Sequence, residues 1–186
     1  MPYTSLDKLI ARQRFRMAYR YLRPGSRVCD LGCGIESAFL DFAADKISEG
    51  VGVDDRAASG TPGRWRHIQA DLLQPLPLPA ASCDHVVMLA VLEHLPQPGP
   101  VLREAYRILT PGGSLILTWP SSLVDPMLAV LRAGRLISRE MESHEHQSRI
   151  PLKSLRQILE GIGFYGFVHR YFEFGLNNLL VATRTR

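Results

Sequence analysis

Val28-Cys29-Asp30-Leu31-Gly32-Cys33-Gly34 is a short apolar segment that ends in an acid and a glycine turn. Its residues favour a buried β-strand, and the residues from Ser37 onward are compatible with a helix. Glycine lets the backbone turn tightly and lets a ligand approach without a Cβ in the way. N–H groups at the start of the helix can bind a carboxylate or phosphate, although a tight turn without a ligand gives the same pattern.

Four further apolar segments follow this one, and acids lie at the ends of two of them. An acid about 20 residues past a glycine turn is placed to accept hydrogen bonds from ribose hydroxyls. Asp30, Asp54 and Asp71 therefore mark the C-terminal ends of three predicted strands, where open α/β sheets bind their ligands. The later predicted strands cover residues 50–54, 65–70, 84–89 and 114–119.

The motifs occur in a characteristic order along the chain. They read Val-Cys-Asp-Leu-Gly-Cys-Gly, Gly-Val-Asp, Ala-Asp-Leu, Leu-Glu-His-Leu-Pro and Leu-Thr-Pro-Gly-Gly-Ser. Together they resemble the class I S-adenosylmethionine-dependent methyltransferases, in particular the small-molecule branch that includes the ubiquinone- and menaquinone-type enzymes. The resemblance covers residues 23–119 closely and the rest of the chain loosely.

The resemblance implies an α/β fold of the Rossmann-like, doubly wound type. The expected sheet has seven mostly parallel strands with an antiparallel C-terminal hairpin strand, and helices cover both faces. We expect one methyltransferase domain over residues 1–186, with a leading helix in residues 1–22 and a variable cap over the acceptor site in residues 121–149.

Local sequence signals place the remaining elements. Turn-forming residues between Asp55 and Arg64 predict that the helix usual after the second strand is missing or reduced to one turn. Pro111-Gly112-Gly113 predicts a turn before the fifth strand. Helices are predicted at residues 6–22, 37–45, 100–108 and 152–159, and a hairpin at residues 164–172 and 176–183 with its turn at 173–175.

The cofactor implied by the resemblance is S-adenosylmethionine. Backbone N–H groups from Gly32 to Gly34 would bind its methionine part, Asp54 its ribose and Asp71 its adenine amino group. Asp30 would orient the turn or meet the cofactor's amino group. The residues expected at the cofactor are Asp30, Gly32, Cys33, Gly34, Asp54, Asp71, Leu72 and Leu89.

The third glycine position of the family motif holds Glu36 in this chain. Its carboxylate either points outward on the first helical turn, where the helix dipole favours an acid, or crowds the cofactor. The second alternative would weaken cofactor binding and is compatible with a non-catalytic member of the family.

No catalytic residue is assigned by the sequence. His94, His144 and His146 are weak candidates for a general base, because an imidazole can remove protons near neutral pH. In the family motif the residue at His94 is more often structural, at the start of the helix, and the spacing of His144 and His146 does not point to a metal site. Trp119 either lines the acceptor pocket or is buried beneath the next segment.

The overall composition restricts the class of protein and its partners. The net charge is +4, and 46% of the 186 residues are hydrophobic. Arginines are concentrated at positions 12–23, but without a nucleic-acid motif a nucleic-acid partner is not expected. No apolar run reaches the about 20 residues that span a bilayer. Three cysteines without a metal or disulfide pattern suggest a cytoplasmic protein with reduced thiols; the oligomeric state stays open.

Three functions are compatible with these observations. The first is methyl transfer to a small-molecule acceptor, by in-line displacement on oxygen, nitrogen or carbon. The second is a catalytically silent partner subunit with the same fold, which binds the cofactor or nothing. The third, a nicotinamide-dependent oxidoreductase, is disfavoured because the third glycine of the dinucleotide fingerprint is absent. The sequence does not identify the acceptor.

Overall fold

The computed structural model describes residues 5–57, 63–121 and 150–186, with only the backbone described for residues 5–8. The described residues contain four α-helices, namely α1 Ser5–Tyr19, α2 Ala38–Phe42, α3 Pro98–Ile108 and α4 Leu152–Ile162. Their strands are β1 Ser26–Leu31, β2 Ile47–Asp54, β3 Arg66–Gln69, β4 Cys83–Leu89, β5 Leu109–Pro120, β6 Phe164–Phe172 and β7 Asn177–Arg184. A 3-10 helix, Leu92–His94, follows β4.

The seven strands form one sheet in the order β3-β2-β1-β4-β5-β7-β6. Strands β1 to β5 pair in parallel, and β7 runs antiparallel to both of its neighbours, β5 and β6. The order changes direction between β1 and β4, which is the position where doubly wound sheets bind ligands. The predicted fold class is confirmed.

Helices cover both faces of the sheet. Side chains alternate along the buried strands, so each face presents apolar residues on which helices pack. On β4, Val86 and Met88 belong to a core shared with α3 and α4, whereas Val87 belongs to a core shared with α1 and α2. All three side chains have no solvent exposure. Burial on both faces holds the central strands in place, and their C-terminal ends therefore form a fixed frame for a site.

The first crossover helix is shorter than predicted. The expected span was residues 37–45, but α2 covers only Ala38–Phe42. Ser37 adopts a left-handed conformation with φ of 49°, which is incompatible with a helical residue. Phe39 and Leu40 are buried and anchor this short helix to the sheet.

The predicted turn at Pro111-Gly112-Gly113 is wrong, because these residues lie within β5. Cys83 pairs with Leu109 and His85 with Ser114, so extra residues of β5 bulge out between the two pairs. Gly112 accommodates the bulge with φ of 77°. The residues that favour a turn therefore form a bulge within the strand and do not interrupt it.

The connection from β2 to β3 contains no helix in its described residues. Residues 55–56 form a turn and residues 63–65 a bend. A helix of three turns needs about 11 residues and does not fit between them. The prediction of a missing or reduced helix agrees with this part of the structure, and residues 58–62 lie outside the described ranges.

The C-terminal elements agree closely with the sequence. Strand β6 has the predicted bounds, and the hairpin turn includes Glu173, Phe174 and Gly175, all with positive φ. Helix α4 continues to Ile162, past the predicted end at residue 159, and stops at Gly163 with φ of 118°.

Helix α1 ends at Tyr19, earlier than the predicted residue 22.

Two further expectations concern cysteines and membranes. Cys29, Cys33 and Cys83 are all free thiols. None of the helices in the described part of the chain is long and apolar enough to cross a membrane.

Buried His85 makes the stability of the fold depend on pH. Burial and then the charge of Arg23 lower the pKa of His85 to about 4, and its Nε2 accepts a hydrogen bond from the Arg23 backbone N–H at 3.2 Å. The folded state therefore prefers the neutral ring. Its contribution to stability is complete above the unfolded pKa of about 6.5 and declines as pH falls towards 4.

We expect the free energy of unfolding of the native protein, minus that of a His85→Gln variant, to fall by up to about 3 kcal/mol between pH 7 and pH 4. Urea unfolding at several pH values measures this difference. Glutamine keeps an acceptor for the Arg23 N–H but does not titrate. Parallel pH profiles for the two proteins would contradict the assignment.

Candidate functional site

The candidate site lies where β1 and β4 end side by side. Asp30 is near the end of β1, and the glycine turn follows it directly. Gly32 and Gly34 have φ of 81° and 68°, the left-handed region that favours glycine. The turn therefore lies at the C-terminal end of β1, beside the change in strand order.

The turn is fastened to the end of the neighbouring strand β2. The N–H groups of Gly32 and Cys33 donate to the Val53 carbonyl at 2.8 and 3.3 Å. The Gly34 N–H donates to Asp54 Oδ2 at 2.8 Å. The prediction that these N–H groups bind the methionine part of a cofactor stays a prediction, and without a ligand all three N–H groups bond within the protein.

Asp54 holds the turn and the start of the next loop together. Its Oδ1 accepts the Arg56 backbone N–H at 2.9 Å, and the Arg56 guanidinium lies 3.4 Å away. Burial opposes ionisation of Asp54, but the N–H groups of Arg56 and Gly34 outweigh it and lower its pKa. A carboxylate has about four lone-pair sites. Arg56 is 71% exposed and can move aside, so Asp54 retains capacity for a ligand hydroxyl.

Asp30 is the second acid at this position and behaves differently. Its side chain is buried, with a relative exposure of 3% for the residue. Burial, and then the charge of Asp54, raise the pKa of Asp30 to about 7. A ligand cation beside Asp30 would favour its ionised form, which fits a contact with an amino group.

The other predicted cofactor residues occupy different environments. Asp71 is exposed beyond β3, and its Oδ1 accepts the Leu73 N–H at 2.9 Å. Leu72 is buried in the core. Leu89 ends β4 and is half-buried, and half-buried Cys33 lies within the turn. Glu36 is exposed, which agrees with the outward alternative.

Open space beside Gly34 leaves room for a ligand. A Cβ built on Gly34 would meet no described atom within 4 Å, whereas one built on Gly32 would lie 2.4 Å from Val91 Cγ2. The connection that follows β4 contains Ala90 with φ of 59°, a strained conformation of the type concentrated at functional sites. Open backbone, a strand-end carboxylate and a buried acid fit the methionine and ribose parts of S-adenosylmethionine.

Comparison with known proteins identifies the family. A family model described as methyltransferase domain matches residues 4–167. The chain belongs to the class I S-adenosylmethionine-dependent methyltransferases. The family resemblance seen in the strand-end motifs is thereby confirmed.

Two relatives illustrate the match. A probable S-adenosylmethionine-dependent methyltransferase of Mycolicibacterium smegmatis is 35% identical over 80% of this chain and 55% of its own length. The ubiquinone/menaquinone biosynthesis C-methyltransferase UbiE of Vibrio campbellii is 26% identical over 72% of this chain and 60% of its own length. The chain thus spans little more than half the length of these two methyltransferases.

A solved methyltransferase structure shows the same fold. The S-adenosylmethionine-dependent methyltransferase from Archaeoglobus fulgidus has a TM-score of 0.71 and 17% identity. The similarity covers 95% of this chain and 94% of that chain. The Rossmann-like methyltransferase architecture therefore extends over the whole described sheet.

Only some of the residues predicted for the acceptor side lie within the described ranges. His94 lies exposed on the 3-10 helix after β4, whereas its neighbour Glu93 is only 6% exposed. Trp119 is also buried at 6% exposure, which favours the second of its two alternatives. His144 and His146, with residues 122–149 of the predicted cap, lie outside the described residues. Within the described ranges, no group of His, Cys, Asp or Glu is arranged to hold a metal ion.

Sequence reasoning missed a polar cluster on this side of the candidate site. It consists of Arg14 on α1, Glu93 after β4, Glu173 in the hairpin turn and Asn177 at the start of β7. The charge of Arg14 acts on the pKa of both Glu93 and Glu173, and Asn177 donates a hydrogen bond to Glu173. The acid within the apolar run at residues 89–95 was a signal that could have identified Glu93. The other three residues are distant in sequence, and only the tertiary fold links them to Glu93, through Arg14.

Proposed function

We propose that this protein transfers a methyl group from S-adenosylmethionine to a small-molecule acceptor. The observation that supports this most is the glycine turn locked to Asp54, with open space beside Gly34 at the change in strand order. Family membership supports the same activity in general.

Each acid of the site would bind a different part of the cofactor. Asp54 would accept hydrogen bonds from the ribose hydroxyls, and Asp71 would meet the adenine amino group. Asp30 would face the cofactor's amino group, since a cation stabilises its ionised form. When bound, the cofactor supplies an electrophilic methyl group, and the fixed strand ends would align the acceptor with it.

The extent and surroundings of the protein are part of the same proposal. We propose that residues 1–186 form one domain with its acceptor site covered by residues 121–149. A cytoplasmic location agrees with the three free thiols, since disulfide bonds are rare there. The relatives' names do not fix the acceptor of this chain.

A silent partner subunit is the alternative function. It would arise if Glu36 crowded the cofactor, but Glu36 is exposed to solvent. Cofactor binding without any methyl transfer would be the outcome that favours this alternative.

Calorimetry of the purified protein tests the proposal. We expect S-adenosylmethionine and S-adenosylhomocysteine to bind at one site and to compete with each other, and NAD to release no binding heat. Binding of NAD in place of the adenosyl ligands would support the oxidoreductase alternative. Absence of binding by all three would contradict the proposed function.

A further inference from the structure

The polar cluster of Arg14, Glu93, Glu173 and Asn177 borders the proposed cofactor site. Glu93 comes two residues after Val91, whose methyl groups lie against Gly32 of the turn. Asn177 pairs with Pro120 at the end of β5, and β5 is the direct neighbour of β4. The cluster therefore lies at the C-terminal strand ends, where open α/β sheets bind their ligands.

Several polar atoms of the cluster are buried but have no hydrogen-bond partner among the described residues. Three are acceptor oxygens, namely Glu93 Oε2, Glu173 Oε1 and Asn177 Oδ1, and one is a donor, Arg14 Nε. Asn177 uses its Nδ2 to donate to Glu173 Oε2, which fixes the free Oδ1 as an acceptor. Glu93 and Asn177 are only 6% and 5% exposed. Buried polar groups are usually hydrogen-bonded, so each of these atoms calls for a partner.

The chemistry of these atoms restricts the ligand that would complete them. Acceptors outnumber donors, so the ligand must mainly supply N–H or O–H groups. Two carboxylates and one guanidinium leave a net negative charge when all are ionised. A protonated amine supplies several donors and the missing positive charge, whereas a hydroxyl supplies one donor and no charge.

We propose that Glu93, Glu173 and Asn177 bind the protonated amine of the methyl acceptor, with Arg14 balancing the charge of the two carboxylates. This inference rests on the proposed function, because it assigns the acceptor of that same reaction. It places nitrogen, and not carbon or oxygen, at the position that receives the methyl group.

Glu93 is also the group that would prepare the amine for reaction. An ammonium nitrogen has no free lone pair and must lose one proton before it can attack. The N–H bond breaks, its electron pair stays on nitrogen, and the proton passes to Glu93 Oε2. The ammonium becomes a neutral amine and the carboxylate a neutral acid. Burial raises the pKa of Glu93 to about 7 against the opposing effects of its own N–H and of Arg14, which suits a proton acceptor near neutral pH.

Benzylamine and benzyl alcohol are suitable probes, because they share an apolar ring and differ in the charged donor group. We expect calorimetry to show benzylamine binding to the protein saturated with S-adenosylhomocysteine, and binding of benzyl alcohol to be at least about tenfold weaker. Glu93→Gln and Glu173→Gln should each weaken benzylamine binding by about tenfold or more. Glu49→Gln is the matched control, since Glu49 is exposed near the opposite end of β2.

A second measurement covers the case in which a variant fails to fold. In the native protein with ¹³C-labelled glutamate, benzylamine should shift the carboxyl signals of Glu93 and Glu173 but not that of Glu49. The proposal is overturned if neither substitution affects benzylamine binding, if benzyl alcohol binds equally well, or if benzylamine does not bind. A separate titration with S-adenosylhomocysteine distinguishes a failure of the proposed function from a failure of this inference. Failure of that ligand alone counts against the proposed function, and benzylamine binding to the ligand-free protein then decides this inference.

Discussion

An Asp54→Ala variant is expected to bind S-adenosylhomocysteine about 1–3 kcal/mol more weakly than the native protein. The substitution removes the acceptor proposed for the ribose hydroxyls. It also releases the Gly34 N–H, which donates to Asp54 Oδ2 at 2.8 Å, and so loosens the turn. Calorimetry measures the loss directly.

The neighbouring acid provides a matched control for this experiment. Asp55 carries the same charge one residue later, but its side chain is 76% exposed and lies 3.6 Å from Arg56. Asp55→Ala should leave the affinity nearly unchanged, because exposed ion pairs contribute little. Equal affinities for the Asp54 and Asp55 variants would exclude Asp54 from the cofactor site.

A Gly32→Ala variant is expected to lose about 2–5 kcal/mol of unfolding free energy, together with most of its cofactor affinity. A left-handed conformation costs alanine about 1–2 kcal/mol. The added Cβ would also lie 2.4 Å from Val91 Cγ2, and overpacking of this kind costs about 1–3 kcal/mol. Urea unfolding gives the first quantity and calorimetry the second.

Two comparisons separate the backbone effect from the steric one. Gly25 has φ of 72°, yet a Cβ there would meet no described atom within 4 Å, so Gly25→Ala should show only the backbone cost. In a double-mutant cycle, Val91→Ala should recover part of the stability lost in Gly32→Ala. If Gly25→Ala and Gly32→Ala are equally destabilising, the contact with Val91 has no energetic role.

The strand ends could be predicted from sequence because their signals are local. The apolar runs that stop at Asp30 and Asp54 can be recognised from neighbouring residues alone. The same holds for the hairpin turn at residues 173–175, where Gly175 follows two residues with positive φ. Positions of this kind depend on propensity and alternation, which a single sequence contains.

The bonds of the glycine turn could not be predicted, because they depend on strand register. Leu31 pairs with Val53, and this pairing brings the N–H groups of Gly32 and Cys33 to the Val53 carbonyl. Likewise, the bulge in β5 exists only in relation to its pairing with β4. Register is a property of two strands together, so a turn motif read alone cannot show which amides are left for a ligand.

The polar cluster beside the proposed acceptor position could not be predicted from sequence either, because it joins residues from distant elements. Arg14, Glu93 and Glu173 belong to a leading helix, a 3-10 helix and a hairpin turn. The sequence directs attention to His94 because imidazole is the usual base near neutral pH. The orientation of the 3-10 helix instead buries Glu93 and exposes His94, and orientation of so short an element has no periodic signal in the sequence.

Amide NMR of the ¹⁵N-labelled protein titrated with S-adenosylhomocysteine tests the central claim most directly. We predict that the largest shifts fall on the amides of Gly32, Cys33 and Gly34, with further shifts at Asp54 and Asp71. The amides of α4 and of the outer strand β6 should stay in place. Binding that shifts the amides elsewhere and leaves the glycine turn unchanged would contradict the assignment of this site.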